Sequence, residues 1–139
     1  MKSYTIMKYI TFFLFVFISC IASKDNQYIE EKCLFEVNKE YKNVSIPPVY
    51  PTKYSRLFYK HGYSGNGYCW QDHIIQILER ENPVLLNSIH FDSNSDEFFA
   101  RMNDDKTIEQ FLELLCPIFN DFKQLEKYIK GADRSRIDY

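Results

Sequence analysis

The sequence predicts an α+β fold: one small domain with a mostly antiparallel sheet and helices on one face. Three observations predict it. Short apolar runs recur between residues 33 and 60 and again between 85 and 102. Most are joined by segments too short for a crossover helix, which implies antiparallel pairing. The last third carries an apolar stripe at helical spacing. The expected order is strand, strand, strand, helix, strand, strand, helix, with a further helix at the end.

Residues 33–37, CLFEV, read as a first short strand after a polar stretch, SKDNQYIEEK. Residues 43–46, NVSI, alternate apolar and polar and then meet Pro47-Pro48, which cannot donate to a ladder, so this strand lies at an edge and ends there. Residues 54–60, YSRLFYK, are the third strand candidate, with Tyr54, Leu57 and Tyr59 as its apolar positions. GYSGNG at 62–67 holds three of the four glycines, and Asn66-Gly67 is a turn dipeptide that accepts positive φ cheaply. A helix follows over 70–81, with Trp70, Ile74, Ile77 and Leu78 on one face, and Asn82-Pro83 stops it.

Residues 85–91 and 97–102 read as two strands joined by the polar turn DSNSD. Asp104 or Asp105 then caps a helix whose stripe is Ile108, Phe111, Leu112 and Leu115. Pro117 either kinks this helix or starts a second one. Phe119, Phe122, Leu125 and Ile129 carry the apolar face on, and Gly131 suits a left-handed helix end. The expected domain runs over 33–131, with a flexible tail at 132–139.

The N-terminus reads as an export signal. Lys2 and Lys8 precede and flank a 13-residue apolar run over 9–21, interrupted only by Thr11 and Ser19. That is too short for the ~20 residues of a membrane-spanning helix and suits a signal peptide over 1–20. A polar tether over 21–32 follows. Phe17-Ile18-Ser19-Cys20 resembles a bacterial lipoprotein box, with Phe17 where Leu is usual. The resemblance implies acylation of Cys20 and anchoring to a membrane by apolar burial of ~0.8 kcal/mol per buried CH2. Ordinary cleavage after Ala22 or Ser23 is the alternative.

Composition narrows the function. Two of 17 basic residues and none of 19 acidic ones lie in 1–20, which leaves a mature charge of −4 on about 119 residues. That mild acidity argues against a nucleic-acid partner. Of four cysteines, Cys20 leaves with the signal or carries lipid. Cys33, Cys69 and Cys116 remain. One disulfide among them is open in an oxidising compartment; the plainer expectation is that Cys33 and Cys116 are small buried apolar residues. No CxxC pair supports zinc, and His61, His73 and His90 lack paired-ligand spacing, so no metal or cofactor is expected.

Cys69, His73 and Asp92 have the residue types of a nucleophile, base and orienting group, with Cys69 and His73 one helical turn apart. The GYSGNG loop lacks the Lys and Ser/Thr of a phosphate loop. Asp92, Asp96, Glu97, Asp104, Asp105 and Glu109 read as turn and cap residues. Tyr50, Tyr54, Tyr59, Tyr63 and Tyr68 suit either core or interface.

Gly65-Asn66-Gly67-Tyr68-Cys69-Trp70, leading into an apolar helix, resembles the GNGYDW segment of the bacterial immunity protein 51 family of polymorphic toxin systems. Cys69 stands where that segment has Asp. Phe91, Asp92, Glu97 and Phe98 fall in a stretch similar to the family's strand-turn-strand segment, with Ser93-Asn94 replacing Pro-Glu. The resemblance covers residues 54–129. It implies a small domain that binds and neutralises a cognate toxin protein and performs no chemistry. It also implies that the motif is structural: Gly65 and Gly67 form the turn, and Trp70 plugs the core. An accessory envelope lipoprotein with no toxin partner is the alternative.

The lipoprotein reading has a direct test. Cys20→Ser should move the protein from the membrane fraction to the soluble fraction after lysis. A variant that stays with the membrane contradicts it.

Overall fold

Four short strands pair in the order β1-β2-β4-β3, every neighbour antiparallel; residues 43–46, expected at an edge, lie instead between two strands, because Pro47 falls just past the last paired residue. The strands are β1 (Glu36–Asn38), β2 (Asn43–Ile46), β3 (Ile89–Phe91) and β4 (Phe98–Met102). The computed structural model describes residues 33–47 and 53–137. The signal, Cys20, the tether, Tyr50 and the last two residues lie outside them.

Alternation decides which face of the sheet is buried. Val44 and Ile46 of β2, and Phe98, Ala100 and Met102 of β4, are buried. The register puts Val44 opposite Ala100 and Ile46 opposite Phe98, so these side chains share the inner face. Helices α2 (Gly67–Glu81) and α3 (Asp105–Asn120) pack against β4. The outer face carries Asn43, Ser45, His90, Phe99 and Arg101. The α+β class expected from the sequence is the one observed.

The expected third strand is a helix, α1 (Lys53–Lys60). Its buried residues are Tyr54, Ser55 and Phe58, the i, i+1, i+4 pattern of a helix face. The strand reading took Tyr59 as apolar-in, but Tyr59 is 56 % exposed. The expected strand over 85–91 also shortens. Pro83 opens a 3-10 turn over Pro83–Ser88, and only Ile89–Phe91 pairs with β4.

Helix α3 runs through Pro117, and the chain breaks at Asp121 instead. Asp121 caps α4 (Phe122–Lys130) by accepting from the Lys123 and Gln124 amides at 2.9 and 3.2 Å. Asp104 caps α3 in the same way through the Thr107 amide, 2.7 Å. Gly131 does not take the expected left-handed conformation; its φ is −90°. A Cβ there would lie 3.1 Å from the Arg80 guanidinium, which donates to the Gly131 carbonyl, and 3.3 Å from the Lys127 carbonyl oxygen.

Two further expectations are corrected. Cys33 and Cys116 are not free apolar residues; they form a disulfide across 83 positions. In the chain-entropy picture, closing so long a loop stabilises the fold by about 4–5 kcal/mol. Nor is the segment after Gly131 loose through its described part. Arg134 donates to the His61 and Gly62 carbonyls and lies 4.3 Å from the Tyr63 ring centroid. Arg136 forms a two-bond pair with Glu79, and Ile137 is buried.

Trp70 is fully buried at the centre. It stacks on Phe119, 5.6 Å between centroids, and meets Phe58 and Tyr54 edge-on. Its indole N–H donates to the Gly65 carbonyl, 3.0 Å. Trp70→Ala should therefore cost roughly 3–5 kcal/mol in denaturant unfolding. A loss below about 1 kcal/mol would place the indole outside the core.

Candidate functional site

The GYSGNG segment and the turn after β3 are built against each other. Gly62 and Gly65 take φ of +77° and +65°, the left-handed region that favours glycine. Asn66, expected to form a positive-φ turn with Gly67, has φ −76° and serves as the N-cap of α2, its side chain accepting from the Cys69 amide at 2.8 Å. Gly67 is helical, so space rather than conformation demands glycine. A Cβ there would sit 2.1 Å from both the Asn94 and Glu97 carbonyl oxygens. The Gly67 amide donates to the Ser95 carbonyl, 3.3 Å.

The 92–97 turn supplies the other half of this junction. Asn94 Oδ1 accepts from the Asp96 and Glu97 amides, 2.7 and 3.1 Å. Its own amide donates to the Glu97 carbonyl, 3.1 Å. The Gln71 side chain, one turn into α2, accepts from the Ser93 amide, 3.3 Å. Phe98 is fully buried, its ring stacked on Phe111 and meeting Phe91 at 6.3 Å. Thus Gly65, Asn66, Gly67, Trp70, Glu97 and Phe98 form one structural unit. Tyr68 differs; it is 40 % exposed.

Cys69 and His73 do meet, with Sγ 3.6 Å from Nδ1. Nδ1 also lies 2.8 Å from the Cys69 carbonyl oxygen, which only an N–H can satisfy, so Nδ1 carries the proton. Phe58 and Tyr63 enclose the ring edge-on at 4.8 and 4.6 Å, and Nε2 is buried with no hydrogen-bond partner among the described residues. Burial pushes the Cys69 thiol up to about 11 and the His73 imidazole down to about 4. A reactive thiol needs the opposite shift, toward thiolate at neutral pH. Asp92 does not join them; it is exposed and pairs with Arg101 at 3.4 Å. This pair is core furniture, and the nucleophile-base-acid trio is not assembled.

The other histidines are apart. His61 Nε2 lies 2.8 Å from Glu126, and His90 is exposed on the outer sheet face. Lys60 and then His61 hold the Glu126 carboxyl down to about 2, tying α1 to α4. Among the described residues no cluster of three metal-ligating side chains exists. Of the tyrosines, Tyr54 and Tyr63 are core, while Tyr59 and Tyr68 are exposed.

The outer sheet face, which no helix among the described residues covers, is what sequence reasoning did not single out. The Arg101 guanidinium lies 5.8 Å from the Phe99 ring centroid and reaches Asp92; His90 stands opposite Arg101 in the register. The alternation of β4 was the available signal, since 98, 100 and 102 point inward. Aromatic and arginine groups on a polar, helix-free surface are the chemistry of protein contact.

A family model described as Immunity protein 51 matches residues 26–134, most of the chain. No curated protein and no solved structure matches it.

Burial of His73 fixes a pH dependence. Its folded pKa lies near 4 against 6.5 when exposed, so between those values the unfolded chain binds the extra proton and stability falls as pH falls. The loss between pH 7 and about pH 4.5 should be roughly 2–3 kcal/mol. The lowered carboxyls of Glu79, Asp104, Glu126 and Asp133 act below that window. Urea unfolding of wild type and His73→Gln across this range checks it: equal slopes would refute the assignment.

Proposed function

The chain belongs to the immunity protein 51 family, and from that premise we propose that it binds and neutralises a cognate toxin protein outside the cytoplasm, held to a membrane through a lipid on Cys20. Binding, with no chemistry on the toxin, is the whole activity in this reading. Family membership carries it. The neutral, enclosed Cys69–His73 pair supports it, because it offers no activated nucleophile. An export-signal pattern over 1–20 and the Cys33–Cys116 disulfide support the location, since disulfides persist in oxidising compartments.

Inhibition by binding needs a rigid surface held at one geometry. The close packing of α2 on the 92–97 turn supplies such rigidity beside β4. The toxin contact is then a matter of exposed side chains, which can vary without disturbing the motif.

The test is survival. Cells expressing an exported toxin encoded beside this gene should live when this protein is co-expressed and die without it. Cys69→Ala should protect as well as wild type. Equal killing with and without the protein ends the proposal, and loss of protection in Cys69→Ala alone would return the thiol to an active role.

A further inference from the structure

The Cys33–Cys116 bond joins the first described residue to a buried position on α3, and what lies between Cys33 and the rest of the sheet is slight. Strand β1 has three residues and pairs with β2 alone. Its outward residues Glu36 and Asn38 are exposed, and Val37 is only half-buried. Phe35 is the segment's one buried side chain, 6 % exposed, its ring meeting Phe111 at 5.2 Å, Phe119 at 5.4 Å and Phe98 at 6.1 Å, all edge-on, while Leu34 and Val37 pack against the core only in part. By contrast β2 is held on its far side by β4 over four residues, with Val44 and Ile46 buried. The helices have their own junction through Trp70 and Phe119.

We propose that the Cys33–Cys116 disulfide is a redox latch on the sheet edge: opening it frees Phe35 and β1 from the aromatic cluster while β2, β4 and the helices stay folded. Three residue pairings, one buried aromatic ring and the partly buried Leu34 and Val37 are a weak hold without a cross-link, because local openings draw on local contacts only. The latch opens by thiol–disulfide exchange with a dithiol. A thiolate of the dithiol attacks one sulfur, Cys33 being the less buried partner; a mixed disulfide forms and the other cysteine leaves as thiolate. The second thiol of the dithiol then displaces the first cysteine. Two electrons pass to the protein, which ends as two thiols, and the dithiol ends as a disulfide. Closure is the reverse, with a disulfide oxidant accepting the electrons. Cys69, buried one helix away from the strand, takes no part.

The biological meaning rests on the proposed site of action outside the cytoplasm: the chain seals its aromatic core only where a disulfide oxidant is present. The structural claim can fail separately. The protein as processed by an exporting host is compared before and after dithiothreitol by amide hydrogen exchange, with thiols counted under denaturant. One thiol before reduction and three after are expected. Exchange at residues 35–38 and at the β2 amides facing them should rise by about tenfold or more, while residues 67–81 keep their protection. Cys33→Ser combined with Cys116→Ser should reproduce the reduced pattern without reductant. Three thiols in the unreduced protein, a smaller rise at 35–38, or unfolding of the whole domain on reduction overturns the latch. None of these bears on toxin protection, which is read in cells.

Discussion

The absence of a side chain at Gly67 is the constraint on which the rest of the domain turns. Carbonyl oxygens of Asn94 and Glu97 occupy the place its Cβ would need, so the first turn of α2 lies directly on the loop between β3 and β4. That contact sets where α2 starts. Asn66 caps it there, and one turn later Trp70 enters the centre of the core. The Trp70 N–H then returns to Gly65, whose left-handed φ bends the chain into the cap. Loop, cap, helix start and core anchor are therefore one device. A substitution at any member would shift the others, because a close-packed interior transmits displacement.

This device explains why the motif stretch holds a cysteine and a histidine without making them reactive. Cys69 and His73 sit on the α2 face that Trp70 and the rings of Phe58 and Tyr63 seal. Burial disfavours charge on both, and each keeps its neutral form. The Nδ1 proton goes to the helix carbonyl of Cys69, leaving Nε2 without a partner among the described residues. Such an orphan lone pair costs about 1–3 kcal/mol, which the surrounding apolar packing offsets. Polar groups can be held in this way where burial keeps both of them neutral.

How much of this was legible in the sequence depended on the range of the interaction. Caps and helix stripes were local: Asp104, one of two cap candidates, and the stripe of α3 stand where spacing put them, and the strand expected over 97–102 forms from 98 on. Helix α1 was missed because its buried face includes Ser55, a residue that hydropathy counts as outward. Ser55 is fully buried and packs close to Gly65, a contact between residues ten positions apart. Gly67 was read for backbone freedom, yet it is glycine for want of space, a fact set by residues 94–97, not by near neighbours in the chain. The disulfide and the ordered end beyond Ala132 were out of reach for the same reason.

The long-range ties also share a direction. Cys33 reaches α3, Arg134 reaches the end of α1, Arg136 reaches α2, and Gln76 of α2 bonds both the amide and the carbonyl of Asp133. Each fastens an end of the described chain back onto the helices. The inner sheet face is covered by those same helices, so every such tie strengthens one side of the molecule. Its outer face is left with short strands, mixed charge and the Arg101–Phe99 contact. Ties of this kind hold both ends of the described residues on the helical side of the sheet. The sheet is thereby fixed in shape from behind by the described helices.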